Sequence, residues 1–193
     1  VWSLSTQYQY AADWPRNTDF RAGRALVAGG NRGSGSNVID FFSMVSTGNA
    51  ADFGDLTTAR EKHLAGMGSS TRAVFGGGDT DANSNVIDFV TIASTGNATD
   101  FGNLTVARND VTGGSNVTRG IFGGGEGGLN VLDYITIASA GNATDFGDLT
   151  VNQRMSGSFA STTRYVQVGG RTDGSTDTNV ISYVTIASAG NAT

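Results

Sequence analysis

The chain has 193 residues, a net charge of −5 and no cysteine, so disulfide bonds and thiolate metal sites are excluded. Charged residues are only 15% of the sequence, against about 25% in typical domains, and no basic patch stands out, which argues against nucleic acid as the main partner. No apolar run is long enough to predict a membrane-spanning helix. The 29 glycines occur with a single proline and a sustained apolar periodicity, a combination that predicts a folded repeat domain rather than a disordered chain.

Residues 1–16 do not follow the pattern of the rest of the chain and are predicted to form a separate N-terminal segment. Leu4, Tyr8 and Ala11 fall on one face at helical spacing, and Pro15 would end such a helix. Alternatively, residues 12–14 are similar to the start of the outermost strand of the units described next, and the segment would then be a strand that closes a ring of sheets. The sequence leaves both structures open.

Residues 17–193 consist of four similar units. Each unit has an arginine, a short apolar run, a glycine pair, an Asn-Val-aliphatic triplet, an aromatic residue and a Gly-Asn-Ala turn, and the first three units continue with Asp-Phe-Gly-x-Leu and a closing arginine. The initial arginines are separated by 48, 47 and 45 residues, and a fixed period of this size is typical of solenoids and propellers. In chain order the initial arginines are Arg24, Arg72, Arg119 and Arg164, the aromatic residues are Phe41, Phe89, Tyr134 and Tyr183, and the closing arginines are Arg60, Arg108 and Arg154.

Each unit is predicted to contain four short strands, which in the second unit lie near residues 63–70, 72–77, 86–92 and 99–106. The third of these strands is rich in β-branched and aromatic residues and is apolar at neighbouring positions, which predicts a strand covered on both faces. Four antiparallel strands repeated around an axis form the blades of a β-propeller. The predicted fold is therefore all-β, a propeller of four-stranded antiparallel blades, with the first, small-residue strand of each blade nearest the axis.

Residues that recur in every unit are expected to serve the fold, and residues that differ between units are free for recognition. The initial arginines are accordingly predicted to be structural and to bond carbonyls of a neighbouring blade. The loops after the glycine pairs differ in length and charge, and we expect them to emerge on one face as a binding surface. The candidate recognition residues in these loops are Asn31, Arg32, Asp79, Asp81, Asn83, Glu126, Arg171, Asp173 and Asp177.

No motif predicts catalysis, a cofactor or a metal site. Asp-Phe-Gly recurs without the other kinase motifs, and residues 123–128 match G-x-G-x-x-G but precede a predicted strand instead of a helix. His63 is the only histidine and has no evident partners for a triad or a zinc site. The run from Asp79 through Asp81 to Asn83 is similar to the start of a calcium loop, but it lacks the glycine and the final glutamate of such loops, so a solvated polar loop is preferred. The chain is therefore predicted not to be an enzyme.

The order of these landmarks resembles the kelch repeat over about residues 17–193. In that family the late aromatic residue is usually tryptophan, whereas Phe53, Phe101 and Phe146 occupy its place here; Tyr134 and Tyr183 match the tyrosine that often follows the early strand. The resemblance implies a β-propeller, usually with more blades than the four units visible in this sequence.

The amino-acid sequence of the units, especially residues 87–108, also resembles repeats in structural and tail-associated proteins of marine tailed phages, cyanophages especially. The opening from Trp2 to Pro15 is similar to a segment that recurs in such proteins. This resemblance implies a virion location and a non-enzymatic role as a tail fibre or tail-associated appendage that presents its loops for binding. The implied partners are other virion proteins, host surface polysaccharide or receptor, and further copies in a homo-oligomer, with no nucleic acid and no membrane.

Two other functions stay open at this point. One is a cellular kelch-type protein-interaction module; the other is a glycan-active propeller enzyme, which would need converging acids or a metal set near the axis. Because the sequence stops inside the turn that elsewhere leads into Asp-Phe-Gly, we also expect the chain to be part of something longer.

Overall fold

The computed structural model of the protein describes residues 23–31, 33–172 and 176–193. These residues contain β-strands and turns and no helix, and the strands form four antiparallel sheets. The prediction of an all-β fold is therefore confirmed. The predicted N-terminal segment at residues 1–16 lies outside the described residues, as do the candidate residues Arg32 and Asp173.

Each sheet is built from one sequence unit, and its strands are neighbours in sequence order. Sheet 1 comprises β1 (Arg24–Ala28), β2 (Ser36–Ser43) and β3 (Ala51–Arg60); sheet 2 comprises β4 (Ala65–Gly68), β5 (Arg72–Gly76), β6 (Val86–Thr91) and β7 (Thr99–Asn103). Sheet 3 comprises β8 (Thr112–Ser115), β9 (Arg119–Gly123), β10 (Val131–Thr136) and β11 (Thr144–Asp148); sheet 4 comprises β12 (Gly157–Ala160), β13 (Arg164–Val168) and β14 (Ile181–Thr185). The four strands predicted for the second unit are all present in sheet 2, each shorter than predicted.

The third strands of the second and third units, β6 and β10, are covered on both faces, as their continuous apolar sequence predicts, whereas β2 exposes Phe42 and β14 exposes Ile181. In β6, Ile87 packs toward sheet 3 and Val90 packs toward sheet 1, and both are buried. Similar apolar clusters join sheet 1 to sheet 2, sheet 2 to sheet 3, and sheet 3 to sheet 4. Within the described ranges no such cluster joins sheet 4 to sheet 1. The core is therefore a series of three sheet-to-sheet layers.

The initial arginines of the first three units each connect one sheet to the next. The guanidinium of Arg72 lies 4.5 Å from the ring centre of Phe89 on its own sheet and donates a 3.0 Å hydrogen bond to the main-chain carbonyl of Ile137 on sheet 3. Arg24 and Arg119 make the same two contacts at their own interfaces. The prediction that the initial arginines bond carbonyls of a neighbouring sheet is confirmed for these three; among the described residues Arg164 contacts only Tyr183 of its own sheet in this way.

A buried ion pair also links consecutive sheets. Arg60 at the end of sheet 1 is fully buried, pairs with Asp88 of sheet 2, and donates to two main-chain carbonyls of sheet 2 at 2.7 and 3.0 Å. Arg108 and Asp133 repeat the pair between sheets 2 and 3, with Nη2 and Oδ2 3.0 Å apart and both side chains fully buried. Burial lowers the pKa of both arginines, and the paired carboxylates counteract this effect.

The third unit replaces this ion pair by neutral groups. Gln153, not Arg154, occupies the buried position, where its amide nitrogen donates to two carbonyls of sheet 4 at 2.9 and 3.3 Å. The facing residue in sheet 4 is Ser182 instead of aspartate, and Thr150 lies 2.6 Å from its hydroxyl. Arg154, the closing arginine of the third unit in the sequence, therefore does not occupy the position of Arg60 and Arg108; it follows that position by one residue and is partly exposed.

The glycine of Asp-Phe-Gly allows the outer edges of two sheets to touch. Gly102 has a φ of +143°, and a Cβ atom there would lie 2.5 Å from the carbonyl carbon of Gly141 in the outer turn of sheet 3. Gly54 and Gly147 have the same backbone conformation and the same close approach to the next sheet. The recurrence of Asp-Phe-Gly therefore reflects inter-sheet contact rather than a magnesium loop.

The first strands of sheets 2, 3 and 4 lie side by side. β8 contacts β4 on one side and β12 on the other. A Cβ atom at Gly113 would lie 3.1 Å from Cβ of Ala65, and one at Gly114 would lie 3.2 Å from Cβ of Ala160. Small residues in these strands thus permit the close spacing.

Burial of Tyr165 is expected to make the stability of the protein fall at alkaline pH. Its side chain is buried and hydrogen-bonded to Thr112 and Gln167, and burial raises its pKa to about 12 from an ordinary 10.0. The folded state holds the phenolic proton more tightly than the unfolded state does. The resulting contribution of Tyr165 to the free energy of unfolding is therefore complete below pH 10 and is lost as the pH rises from 10 to 12. We expect the free energy of unfolding to fall by up to about 2 to 3 kcal/mol across that interval. Urea titrations at several pH values should show that Tyr165→Phe removes this slope; an unchanged slope in the variant would contradict the assignment.

Candidate functional site

The loops after the glycine pairs, numbered first to fourth in chain order, begin at Asn31, Asp79, Glu126 and Arg171. They alternate with the linkers that connect one sheet to the next, which are residues 61–64, 104–111 and 149–156. Main-chain hydrogen bonds join linker residue Glu61 to loop residue Asp79 in both directions, and Arg154 to Arg171 in the same way. Glu126 of the third loop donates its main-chain N–H to the carbonyl of the linker residue Asn109. The variable loops and the linkers therefore form one continuous row of polar segments, which we call the loop face.

A groove on the loop face lies between the first and second loops. Its volume is about 520 Å³. Two candidate residues of the second loop, Asp79 and Asp81, and Asn31 of the first loop line it. Ser34, Thr58, Glu61 and Thr80 are among the other lining residues. The groove is open and polar, and it is lined by no aromatic side chain among the described residues.

Asp79 anchors the second loop rather than projecting from it. Its carboxylate accepts a 2.8 Å hydrogen bond from Nζ of Lys62 and a 3.0 Å bond from the main-chain N–H of Asp81. The hydrogen bond from Lys62 lowers the pKa of Asp79, and the same bond raises the pKa of Lys62. Asp81 itself is exposed with a φ of +88°, so this side chain is the freer of the two for contact with a ligand.

Asn109 joins the second and third loops. Its amide nitrogen lies 2.8 Å from Oδ1 of Asn83 and 2.8 Å from Oε2 of Glu126, and a weaker 3.4 Å contact reaches Asp79. Three of the candidate recognition residues thus meet at one buried linker side chain. The network holds the two loops at a fixed separation.

A second polar cluster lies around Asp110. Its buried carboxylate lies 2.7 Å from Nδ1 of His63 and 3.6 Å from Nη1 of Arg154. Arg154 also lies 3.3 Å from Glu126. The cluster connects linkers on both sides of the third loop and places an exposed imidazole on the loop face.

The fourth loop is closed on itself. Arg171 donates from Nε to Oδ1 of Asp177 at 3.1 Å, and the two residues also share a β-bridge. Both side chains are exposed. These two candidates therefore lie beyond the groove, next to Arg154.

The described residues contain no group of three or more His, Cys, Asp or Glu side chains arranged to hold a metal ion. In the second loop, Lys62 occupies the Asp79 carboxylate that a calcium ion would need. The described part of the chain also contains no helix that is long and apolar enough to cross a membrane.

The linker residues were missed in the sequence. Lys62, Asn109, Asp110 and Arg154 contribute to the loop face as much as the predicted loops do. A signal was present, because the residue after the buried closing position is Glu61, Asn109 or Arg154 in successive units. Such variation at one position of the repeat is the criterion that selected the loops.

Comparison of the chain with protein-family models and with curated proteins gives no match.

Proposed function

We propose that this chain is a non-enzymatic binding module of a tailed-phage virion, a tail fibre or tail-associated appendage that contacts the host surface through its loop face. In this proposal the four sheets are blades of a kelch-like β-propeller, and further virion proteins hold the particle-facing side. The observation that carries the binding role is the groove between the first two loops, where residues that differ between units surround one concavity.

The packing supports a rigid scaffold with the variable residues kept outside it. The initial arginines of the first three units and the glycines of Asp-Phe-Gly are engaged between sheets, and the recurring aromatic residues hold those arginines from within the same sheet. The first strands lie side by side, which is the spacing that blades have around an axis. The virion setting rests on the resemblance of the unit sequence to phage tail-associated repeats.

The chemistry of the groove favours a hydroxyl-rich polysaccharide. Ser34, Thr58 and Thr80 supply hydroxyl groups and Asn31 an amide, all of which can exchange hydrogen bonds with sugar hydroxyls. Glu61 and Asp81 add carboxylates that accept from sugar hydroxyls or amines and repel acidic polymers. A neutral or amine-bearing surface glycan is therefore the proposed ligand class.

The test uses arginine substitutions that fill the groove. Ser34 and Thr58 are exposed groove residues, whereas Thr95 is an exposed residue of the outer turn of sheet 2. We expect Ser34→Arg and Thr58→Arg to abolish binding of the purified protein to host cells and to isolated host polysaccharide, and Thr95→Arg to leave both unchanged. Flow cytometry and calorimetry provide the measurements.

Host binding that persists in both the Ser34→Arg and the Thr58→Arg variants would overturn the groove assignment. Absence of any host binding, with the chain located inside the particle by electron microscopy, would overturn the host-contact role. Release of sugar products from the polysaccharide would show catalysis and contradict the non-enzymatic assignment.

A further inference from the structure

A second concavity lies beside the turn that joins β10 to β11, at the opposite end of these strands from the loop face. Its volume is about 360 Å³, which falls within the range of about 300 to 1,000 Å³ for small-molecule pockets. No charged side chain lines it among the described residues. We call it the sheet-3 pocket, and its lining includes Phe101, Tyr134, Thr136, Ser139, Asn142 and Thr144.

The side-chain polar groups of the sheet-3 pocket are free to bond a ligand. Four of the lining side chains carry a hydroxyl group that has no hydrogen-bond partner within the described ranges: Tyr134, Thr136, Ser139 and Thr144. Asn142 accepts a 3.0 Å hydrogen bond from the main-chain N–H of Asn103 through its Oδ1 atom. This bond fixes the orientation of the amide, so both hydrogens on Nδ2 of Asn142 are available as donors.

Contacts between and within the sheets hold the pocket in one shape. The main-chain N–H of Gly141 donates a 2.6 Å hydrogen bond to the carbonyl of Phe101 on sheet 2. The ring of Tyr134 contacts the guanidinium of Arg119, which lies 4.7 Å from the ring centre, and the ring of Phe146, whose centre is 5.9 Å away. A site that is already formed needs little ordering when a ligand binds, which favours affinity.

Sheet 2 has an equivalent pocket that is much smaller. Its volume is about 140 Å³, and its lining includes Phe89 and Thr95. Sheet 3 carries Tyr134 in place of Phe89 and Ala140 in place of Thr95. Ala140 is not part of the lining of the sheet-3 pocket, and the tyrosine adds a hydroxyl group to that lining. The two substitutions thus accompany a wider and more polar pocket.

These two positions change together along the chain. The first two units combine phenylalanine with threonine, and the last two combine tyrosine with alanine. In chain order the pairs are Phe41 with Thr47, Phe89 with Thr95, Tyr134 with Ala140 and Tyr183 with Ala189. Variation between units is the criterion that selected the recognition residues of the loop face, and it selects these two positions as determinants of what the pocket binds.

We propose that the sheet-3 pocket is a second binding site, separate from the groove on the loop face, and that it binds one neutral sugar unit. The free hydroxyl groups of the pocket can donate and accept, as sugar hydroxyls also do, and Asn142 supplies a fixed donor. Phe101 and Ile135 add apolar surface for the C–H groups of a sugar ring. Because no cation is among the described lining residues, a phosphate, a sulfate or an acidic sugar gains no ion pair there.

A free monosaccharide is expected to bind this pocket with a dissociation constant on the order of 1 mM. One contact of this strength does not retain a cell on the protein. Host attachment in the proposed function therefore still depends on the groove, and the sugar site goes beyond that function without resting on it.

Two-dimensional NMR of the 19.8 kDa chain, titrated with glucose, galactose and N-acetylglucosamine, tests the proposal. We expect saturable shifts of the amide signals of Ser139, Gly141 and Asn142 with at least one of these sugars. The double variant Tyr134→Phe with Ala140→Thr gives the sheet-3 pocket the composition of the sheet-2 pocket. It removes a hydroxyl group and narrows the site, so it should raise the dissociation constant at least about tenfold.

The converse double variant, Phe89→Tyr with Thr95→Ala, is the matched experiment. It gives the sheet-2 pocket the composition of the sheet-3 pocket, and we expect it to add sugar-dependent shifts at Gly96 and Asn97 while the response of sheet 3 is retained. Both double variants use residue pairs that the chain already contains at equivalent positions, and circular dichroism establishes that each is folded. Absence of new shifts in sheet 2 would overturn the assignment of these two positions.

Three results would overturn the sugar site itself. These are no shifts around the pocket with any of the three sugars well above the expected dissociation constant, an unchanged response in Tyr134→Phe with Ala140→Thr, and an equal response to glycerol. The groove variants Ser34→Arg and Thr58→Arg alter a different surface and should leave the sugar response unchanged. Failure of this inference and failure of the proposed function are therefore distinguishable.

Discussion

Replacing Arg108 by glutamine is expected to lower the free energy of unfolding by about 3 to 5 kcal/mol, because Asp133 would remain as an uncompensated buried charge. Both side chains are fully buried between sheets 2 and 3. Asp133→Ser alone should cost a comparable amount, since it leaves the Arg108 guanidinium without its counter-ion. Chemical denaturation, with the midpoint and slope determined for each variant, gives the values.

The third unit shows how the loss can be reversed. Gln153 and Ser182 occupy the equivalent buried positions between sheets 3 and 4 as a neutral pair. The double variant Arg108→Gln with Asp133→Ser copies this pair, and we expect it to recover most of the stability lost in either single variant. If the effects of the two substitutions simply add, the buried residues do not act as a coupled pair and the interpretation is wrong.

Replacing Gly102 by alanine is expected to destabilise the protein by more than about 3 kcal/mol. The φ of +143° is a conformation that only glycine adopts without strain, and the added methyl group would press on the main chain of Gly141. Because the obstacle is backbone and not a flexible side chain, the outer turn of sheet 3 would have to move. Thermal and urea denaturation measure the loss.

Gly141 supplies the matched control on the other side of the same contact. A Cβ atom there would meet no other atom within 4 Å, so Gly141→Ala should change the stability by about 1 kcal/mol or less. Equal effects of the two substitutions would show that the close approach of the sheet edges does not constrain Gly102.

The recurring residues allowed the all-β class and the succession of similar antiparallel sheets to be predicted. The initial arginines, the paired aromatic residues and the continuous apolar run of the third strand each make one kind of contact. The same residue types recur wherever that contact occurs. The exception is the third unit, where Gln153 and Ser182 substitute together. Matching single letters selected Arg154, because the sequence, although it carries Ser182 in place of the aspartate, does not show that this position and the closing position are partners.

The candidate site was only partly predictable. Variation between units selected Asn31, Asp79 and Asp81, which line one groove, and Glu126, which Asn109 links to Asp79. The linker residues were overlooked because they follow the recurring closing position and carry no motif of their own. Their role arises from the crossing between sheets, which places each linker between two loops that are distant in sequence.

The central claim is that equivalent sheets succeed one another with their first strands side by side, and engineered disulfides test it most directly in this cysteine-free chain. The pairs Ala65→Cys with Gly113→Cys, between β4 and β8, and Gly114→Cys with Ala160→Cys, between β8 and β12, place their Cβ atoms 3.1 and 3.2 Å apart. A disulfide needs about 3.5 to 4.5 Å between Cβ atoms, so a separation of the strands by a few tenths of an ångström accommodates each bond. The account predicts that both pairs oxidise quantitatively in the folded protein, as measured by thiol titration and peptide mass spectrometry, with no loss of β-structure. Free thiols that persist in both folded variants under oxidising conditions would contradict it.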